Sequence, residues 1–191
     1  MDEDIFQHLT MIVAVVLGCA FLLAKTLRFR ELILKTQLSA REKLAFAIFG
    51  GIAGILGTHT GFQTEHTIVN ARSVVVILSG LVGGPWVGFG AGAIAGIERY
   101  FHGGFTVLAS SGATVLQGTL AGLYYARFNA LHVRWPSALV VGFLLEALHM
   151  LFMLVFSQPY DQAWEIVQDV SPAMLLINPL GLALLIAILD G

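Results

Sequence analysis

Charge is what this chain has least of. Of its 191 residues, 12% are Asp, Glu, Lys or Arg, about half the share usual in a soluble globular domain. That scarcity argues against a soluble domain. A net charge of −2 at pH 7 offers no basic surface, so no nucleic-acid partner is expected. Cys19 is the one cysteine, which excludes an intrachain disulfide. Lying mid-run among apolar residues, it reads as a small packing residue. No GxxxxGK[ST] phosphate loop and no nucleophile–base constellation occurs. These residues are therefore expected to form neither an enzyme active site nor a cofactor site.

What is abundant is apolar sequence: 57% of residues are hydrophobic, with a mean hydropathy of +0.83. They are gathered in long runs. IFQHLTMIVAVVLGCAFLLAKTL (5–27) has the length of a membrane crossing, which needs ~20 apolar residues. It is too long for a cleaved signal peptide. The runs do not alternate apolar and polar residues as a β-barrel would. The expected fold is an all-α polytopic membrane domain spanning 1–191. Its five clear spans are 5–24, 44–57, 105–126, 136–156 and 171–189, with a special segment at 70–101.

Basic residues orient these spans. The connection 25–43 holds Lys25, Arg28, Arg30, Lys35, Arg41 and Lys43, six of the ten Lys and Arg residues. The positive-inside rule places it in the cytoplasm. Arg127 and Arg134 place 127–135 there too. The N-terminal MDED and the acidic segment 157–172 lack Lys and Arg and belong outside. The N-terminus is then outside and the C-terminus cytoplasmic, in a plasma (inner) membrane. This closes only if 70–101 begins and ends on the outer side, as a hairpin whose tip is Gly83-Gly84-Pro85. Its arms are shorter than the ~30 Å hydrocarbon core. It is thus either re-entrant or a pair of short crossings surrounded by protein, which makes five to seven crossings in all. Gly84, Gly88, Gly92 and Gly96 recur every four residues, giving a smooth face for close helix packing or, alternatively, for a dimer contact. The chain ends just after the last span, so a cytoplasmic output domain is expected beyond residue 191.

Ionisable groups inside a membrane are costly and are functional candidates. Arg72 opens the hairpin and Arg99 closes it, so both lie near the outer face. Asn70 precedes Arg72, and Ser110 and Ser111 stand early in the next span. Two guanidiniums, an amide and hydroxyls can converge on one small anion, and arginine's planar fork suits a carboxylate. The alternative is that the arginines snorkel to headgroups or pair with Glu65 and Glu98. Glu98 has His102 one turn away. Glu146 and His149, three apart, can touch as a polar coupling pair or as a self-satisfied one. Asn178, before Pro179, is expected to bond backbone opened by that proline or to cap a break. His59 and His66 flank a loop, but zinc wants three or four ligands at tighter spacing, so no metal site is expected.

Asn70-x-Arg72, Gly83-Gly84-Pro85, Gly96-x-x-Arg99-Tyr100 and Gly103-Gly104-Phe105-Thr106, in this order and spacing, resemble the five-transmembrane receptor domain of the LytS/YhcK type. EALHM around Glu146 and the run 171–181 look like it as well, and the likeness covers essentially the whole chain. It implies a signal-sensing module at the N-terminus of a sensor histidine kinase or, less often, a diguanylate cyclase. It implies a homodimer acting on a response regulator, and for several members a response to pyruvate at the outer side. The family's two arginines match Arg72 and Arg99, and its polar positions in the next helix match Ser110 and Ala113. Ala113 departs from the pattern, with Ser111 or Thr114 as substitutes, which bears on ligand identity more than on ligand charge. In overall architecture the family resembles the substrate-binding subunits of energy-coupling-factor transporters. Three functions are weighed: a receptor domain for a small carboxylate, pyruvate foremost; a small-molecule transporter or its binding subunit; or a structural or partner-binding membrane domain with no ligand.

Overall fold

The computed structural model describes residues 7–14, 38–63, 68–128 and 134–190. The helices are α1 (Ala40–His59), α2 (Arg72–Gly83), α3 (Pro85–Phe101), α4 (Val107–Phe128), α5 (Trp135–Phe156) and α6 (Tyr160–Asp190). Residues 7–14 are also helical; the rest of the span expected at 5–24 lies outside the described residues. A two-residue antiparallel pair, β1 (Phe62–Gln63) with β2 (Ile68–Val69), closes the loop that leads into Asn70.

Each boundary has a local cause. α1 begins with a capping box, in which Ser39 N–H donates to Glu42 Oε2 (2.7 Å) and Glu42 N–H donates to Ser39 Oγ. Between α2 and α3 the chain reverses on Gly84, whose φ of 84° is strained for any residue with a Cβ. Pro85 then starts α3 at a position that needs no N–H partner. The last helix differs from expectation: it starts at Tyr160 rather than at 171 and runs 31 residues. The acidic stretch of 157–172 is therefore mostly helical, and Pro172 and Pro179 lie inside the helix without ending it. Each proline removes one backbone bond, leaving the carbonyls of Gln168 and Leu175 without their usual donors.

The fold is apolar on much of its surface as well as in its core. Leu44, Ile48, Ile52 and Leu56 line the outer face of α1, and Val140, Leu144, Leu151 and Val155 stand exposed on α5. The interior holds Arg72, Arg99, Gln117, Glu146, His149 and Asn178, all nearly or fully buried. Exposed apolar faces of this extent need lipid or protein to cover them. Helices α5 and α6 are each long and apolar enough to cross a membrane. The expectation of five clear spans is thus met on this measure by two helices among the described residues. Small residues set α1 and α4 apart, since both trade bulk for close approach.

Helix α2 lies at the centre, packed against α1, α3, α4, α5 and α6. Its 12 residues reach about 18 Å, and the 17 of α3 about 26 Å, both short of the ~30 Å core. Nine of the twelve α2 residues are buried, so protein shields this short element. The glycine stripe of α3 faces α4 of the same chain. A Cβ on Gly92 would stand 2.9 Å from Thr114 O, and one on Gly96 would stand 2.9 Å from Ser111 O. Gly88 meets Gly118 still more closely. The stripe is an internal seam, which removes it as the face for a second copy.

Candidate functional site

The two hairpin arms bring Arg72 and Arg99 into the interior, where they are 1% and 2% exposed. Arg72 sits at the start of α2 because Asn70 makes an Asx-type turn there: Arg72 N–H donates to Asn70 Oδ1 at 2.9 Å. Its guanidinium is held by hydroxyls from two other helices. Nε donates to Thr114 Oγ1 (3.0 Å) and Nη2 to Ser110 Oγ (2.9 Å), both on α4, while Nη1 donates to Thr58 Oγ1 (3.2 Å) at the end of α1. Thr114 and Thr58 hand their own hydroxyl protons back to helix carbonyls, Ser110 O and Gly54 O. That frees their lone pairs to face the cation.

Gly57 makes this arrangement possible. A Cβ there would come within 3.1 Å of the Arg72 Cα, so a larger residue would push the arginine's backbone away. Arg99 closes the other arm. Its Nη1 donates to Gly103 O (3.0 Å) and its Nη2 to Thr106 Oγ1 (3.3 Å), while its buried Nε has no hydrogen-bond partner. The charge of Arg99 acts on Arg72, as do those of Glu146 and Glu98. Among the described residues no carboxylate comes within 4.0 Å of either guanidinium. Glu98, which precedes Arg99, turns instead to His102 and His59, at 3.3 and 3.0 Å. Glu65, the other carboxylate considered for these arginines, lies outside the described residues, as does His66.

A second buried cluster begins at Ser73, the residue after Arg72. Glu146 on α5 is fully buried and accepts a hydrogen bond from Ser73 Oγ and one of 2.8 Å from Asn178 Nδ2. His149 Nδ1 is 3.5 Å from Glu146 Oε2, but neither atom makes a well-directed hydrogen bond. Asn178 does not serve the backbone near Pro179. Its amide reaches across to Asn70 O and Ser73 Oγ, both at 3.3 Å. Facing neighbours, rather than the proline, hold it.

Of the residues singled out from sequence, Arg72, Asn70 and Ser110 meet directly. Ser111 is one residue along; its Oγ is buried without a partner and does not bond either arginine. Thr58 was not anticipated. A signal existed: Gly50, Gly54 and Thr58 share one face of α1 at four-residue spacing, and all three are buried. Ala113 is buried on α4, one residue before the Thr114 that holds Arg72.

Comparisons with known proteins give the family of the chain. A family model described as 5TMR of 5TMR-LYT matches residues 26–191. The chain is 33% identical over 193 residues to the sensor histidine kinase BtsS of Escherichia coli (strain K12), covering 98% of this chain and 34% of that protein. It is 31% identical over 179 residues to the sensor histidine kinase YpdA of the same organism, covering 91% and 32%. It is 31% identical over 198 residues to the sensor protein LytS of Bacillus subtilis (strain 168), covering 94% and 33%. The chain thus spans about a third of the length of the curated relatives it matches. No solved structure matches it.

Proposed function

This chain belongs to the LytS-type five-transmembrane receptor family, and from that premise we propose that it binds a small carboxylate, pyruvate foremost, between Arg72 and Arg99. The observation that carries this reading is the pair of buried guanidiniums with hydroxyl partners and no carboxylate within 4.0 Å among the described residues. Arginine has five N–H donors. Arg72 commits three of its donors to neutral hydroxyls, and Arg99 leaves a buried Nε–H unbonded. A buried donor left open costs ~1–3 kcal/mol, more when charged, and a carboxylate would relieve that cost. Ser110, Ser111 and Asn70 supply the remaining polar surface and the positioning of Arg72.

Binding would cancel the repulsion between two cations and draw the hairpin toward α4. Output would leave through α6. Asn178 ties that helix to Asn70 O, two residues before Arg72, and to Glu146 on α5. A shift of α2 therefore pulls directly on the helix that ends the chain. Ligand shifts this equilibrium only by its differential affinity for the two states. The names of the relatives support a sensor rather than a transporter. The likeness to energy-coupling-factor subunits rests on architecture alone, and the transport reading has no observation of its own. On this proposal the domain lies in the inner membrane with its N-terminus outside and its C-terminus cytoplasmic. It acts as a homodimer and drives a histidine kinase domain that passes phosphoryl groups to a response regulator.

The test is calorimetric titration of pyruvate into the chain held in lipid nanodiscs, for the parent, Arg72→Ala and Arg99→Ala. Loss of binding in both variants is the expected outcome. Unchanged affinity in both would sink the site assignment.

A further inference from the structure

Beside Arg99, the end of α1 and the end of α3 bring together a group of side chains that the carboxylate site does not use. His59 Nε2 is 3.0 Å and His102 Nε2 is 3.3 Å from the same oxygen of Glu98, Oε1. The ligand atoms of the three residues all lie within 4.8 Å of one another. The two rings meet edge to face, with centroids 5.1 Å apart and planes at 66°.

We propose that His59, Glu98 and His102 bind a divalent transition-metal ion of the zinc class, with one coordination position left open. Zinc sits ~2.0–2.1 Å from histidine nitrogen and ~2.0–2.2 Å from carboxylate oxygen, so tetrahedral ligand atoms are separated by roughly 3.3–3.5 Å. The two distances to Glu98 Oε1 are close to that edge length, and a turn of the exposed His59 ring closes the third edge, which lies within 4.8 Å. Two imidazoles and one carboxylate are the donor set that imidazole-preferring metals use when an exchangeable position remains.

A histidine–carboxylate ion pair is the competing account, and hydrogen-bond geometry weighs against it. Both Glu98 oxygens are buried, yet neither receives a well-directed hydrogen bond from these rings. A metal at the common focus satisfies all three groups together. His102 lies one turn after Glu98 on α3, whereas His59 comes from α1. The ion would therefore staple two helix ends that also carry Thr58 and Arg99, the neighbours of His59 and Glu98. Metal occupancy would restrain the hydroxyl and the guanidinium at the entrance to the arginine pair. The site stands on its own residues and does not depend on the identity of the carboxylate.

The experiment uses the chain in nanodiscs, freed of metal with a chelator and titrated with zinc chloride, with cobalt chloride as a spectroscopic probe. Saturable zinc binding, a raised melting temperature and the strong visible absorption of tetrahedral cobalt are expected. His59→Gln and His102→Gln should each weaken zinc binding at least about tenfold, because even an outer-shell partner is worth that much. His59 is 58% exposed at its side chain, so its replacement leaves the fold intact, and an unchanged metal-free melting curve verifies this. The parent chain alone keeps the test decisive should a variant misfold. No saturable zinc binding and no tetrahedral cobalt spectrum in the parent would overturn the proposal, as would parental zinc affinity in both folded histidine variants.

Discussion

Two buried charge clusters lie close together in this bundle, and they are built differently. Around Arg72 the partners are hydroxyls of Thr58, Ser110 and Thr114, each a neutral acceptor. Around Glu146 the partners are Ser73 and Asn178, with His149 alongside, and they link α2, α5 and α6. Hydroxyls can hold a cation without cancelling it. The arginine cluster therefore keeps its charge and its capacity for an anion. Glu146 receives two hydrogen bonds on one oxygen, so its cluster acts chiefly as a tie between helices. Burial alone thus does not mark a binding site; what distinguishes the two is the sign of the charge, since only the guanidinium offers an anion a partner.

The difference can be broken most severely at Arg72. Truncating one partner of a buried, hydrogen-bonded charge pair costs ~2–5 kcal/mol or more, so Arg72→Ala should weaken pyruvate at least about 30-fold by calorimetry. Arg72→Lys keeps the charge but loses the planar fork and should recover only part of that loss. Parental affinity in the lysine variant would show that charge alone, and not the hydroxyl-held fork, defines the site.

Next in size is the seam that sets the distance between the arms and α4. Gly92→Leu places side-chain atoms against the Thr114 and Val115 backbone. Overpacking costs ~1–3 kcal/mol, and here it also displaces the helix that carries the Arg72 acceptors. A lower melting temperature and weaker pyruvate binding should appear together. Normal values of both would mean that the close backbone approach is dispensable.

Glu146→Gln sharpens the comparison from the other side. Glutamine can still accept from Ser73 and Asn178, but the negative charge that acts on Arg72 is gone. Removing the carboxylate should tighten pyruvate several-fold while loosening transmission to α6, read as kinase output in the full-length protein. Tenfold weaker binding would place Glu146 in the ligand site instead.

The smallest effect belongs to Thr58→Val, which deletes one hydroxyl from the cation's ring of acceptors. One hydrogen bond to a charged group is worth ~1.5–3 kcal/mol, and Arg72 keeps its bonds to Thr114 and Ser110, which brings the effect below that range. A loss of about tenfold or less in pyruvate affinity is expected. An effect equal to that of Arg72→Ala would show that the hydroxyl contacts the ligand itself.

Much of the architecture was legible in residue order. Apolar runs located α1, α4 and α5 nearly to their ends, and Gly84-Pro85 marked the turn between the hairpin arms. The start of α6 was not legible: acidic residues between Tyr160 and Pro172 look like a loop, yet carboxylates on an exposed helix face leave helical backbone bonds intact. The arginines stood out because permanent cations in an apolar run have few uses. Their acceptors did not, since threonine is common in helices and a hydroxyl gains meaning only from what lies opposite it.

Composition and spacing alone determined that this is a helical membrane domain, that its hairpin carries two arginines, and that its glycines permit close packing. These follow from solvent preference and helical period, which are local properties of the chain. Only the tertiary structure decided which hydroxyls surround Arg72, that Asn178 answers to Asn70 and Glu146, and that His59 joins Glu98 and His102. Those meetings join residues 14 to 108 positions apart along the chain, apart from the single-turn step between Glu98 and His102. Side-chain chemistry can say that such groups need partners, and packing alone selects which ones they receive.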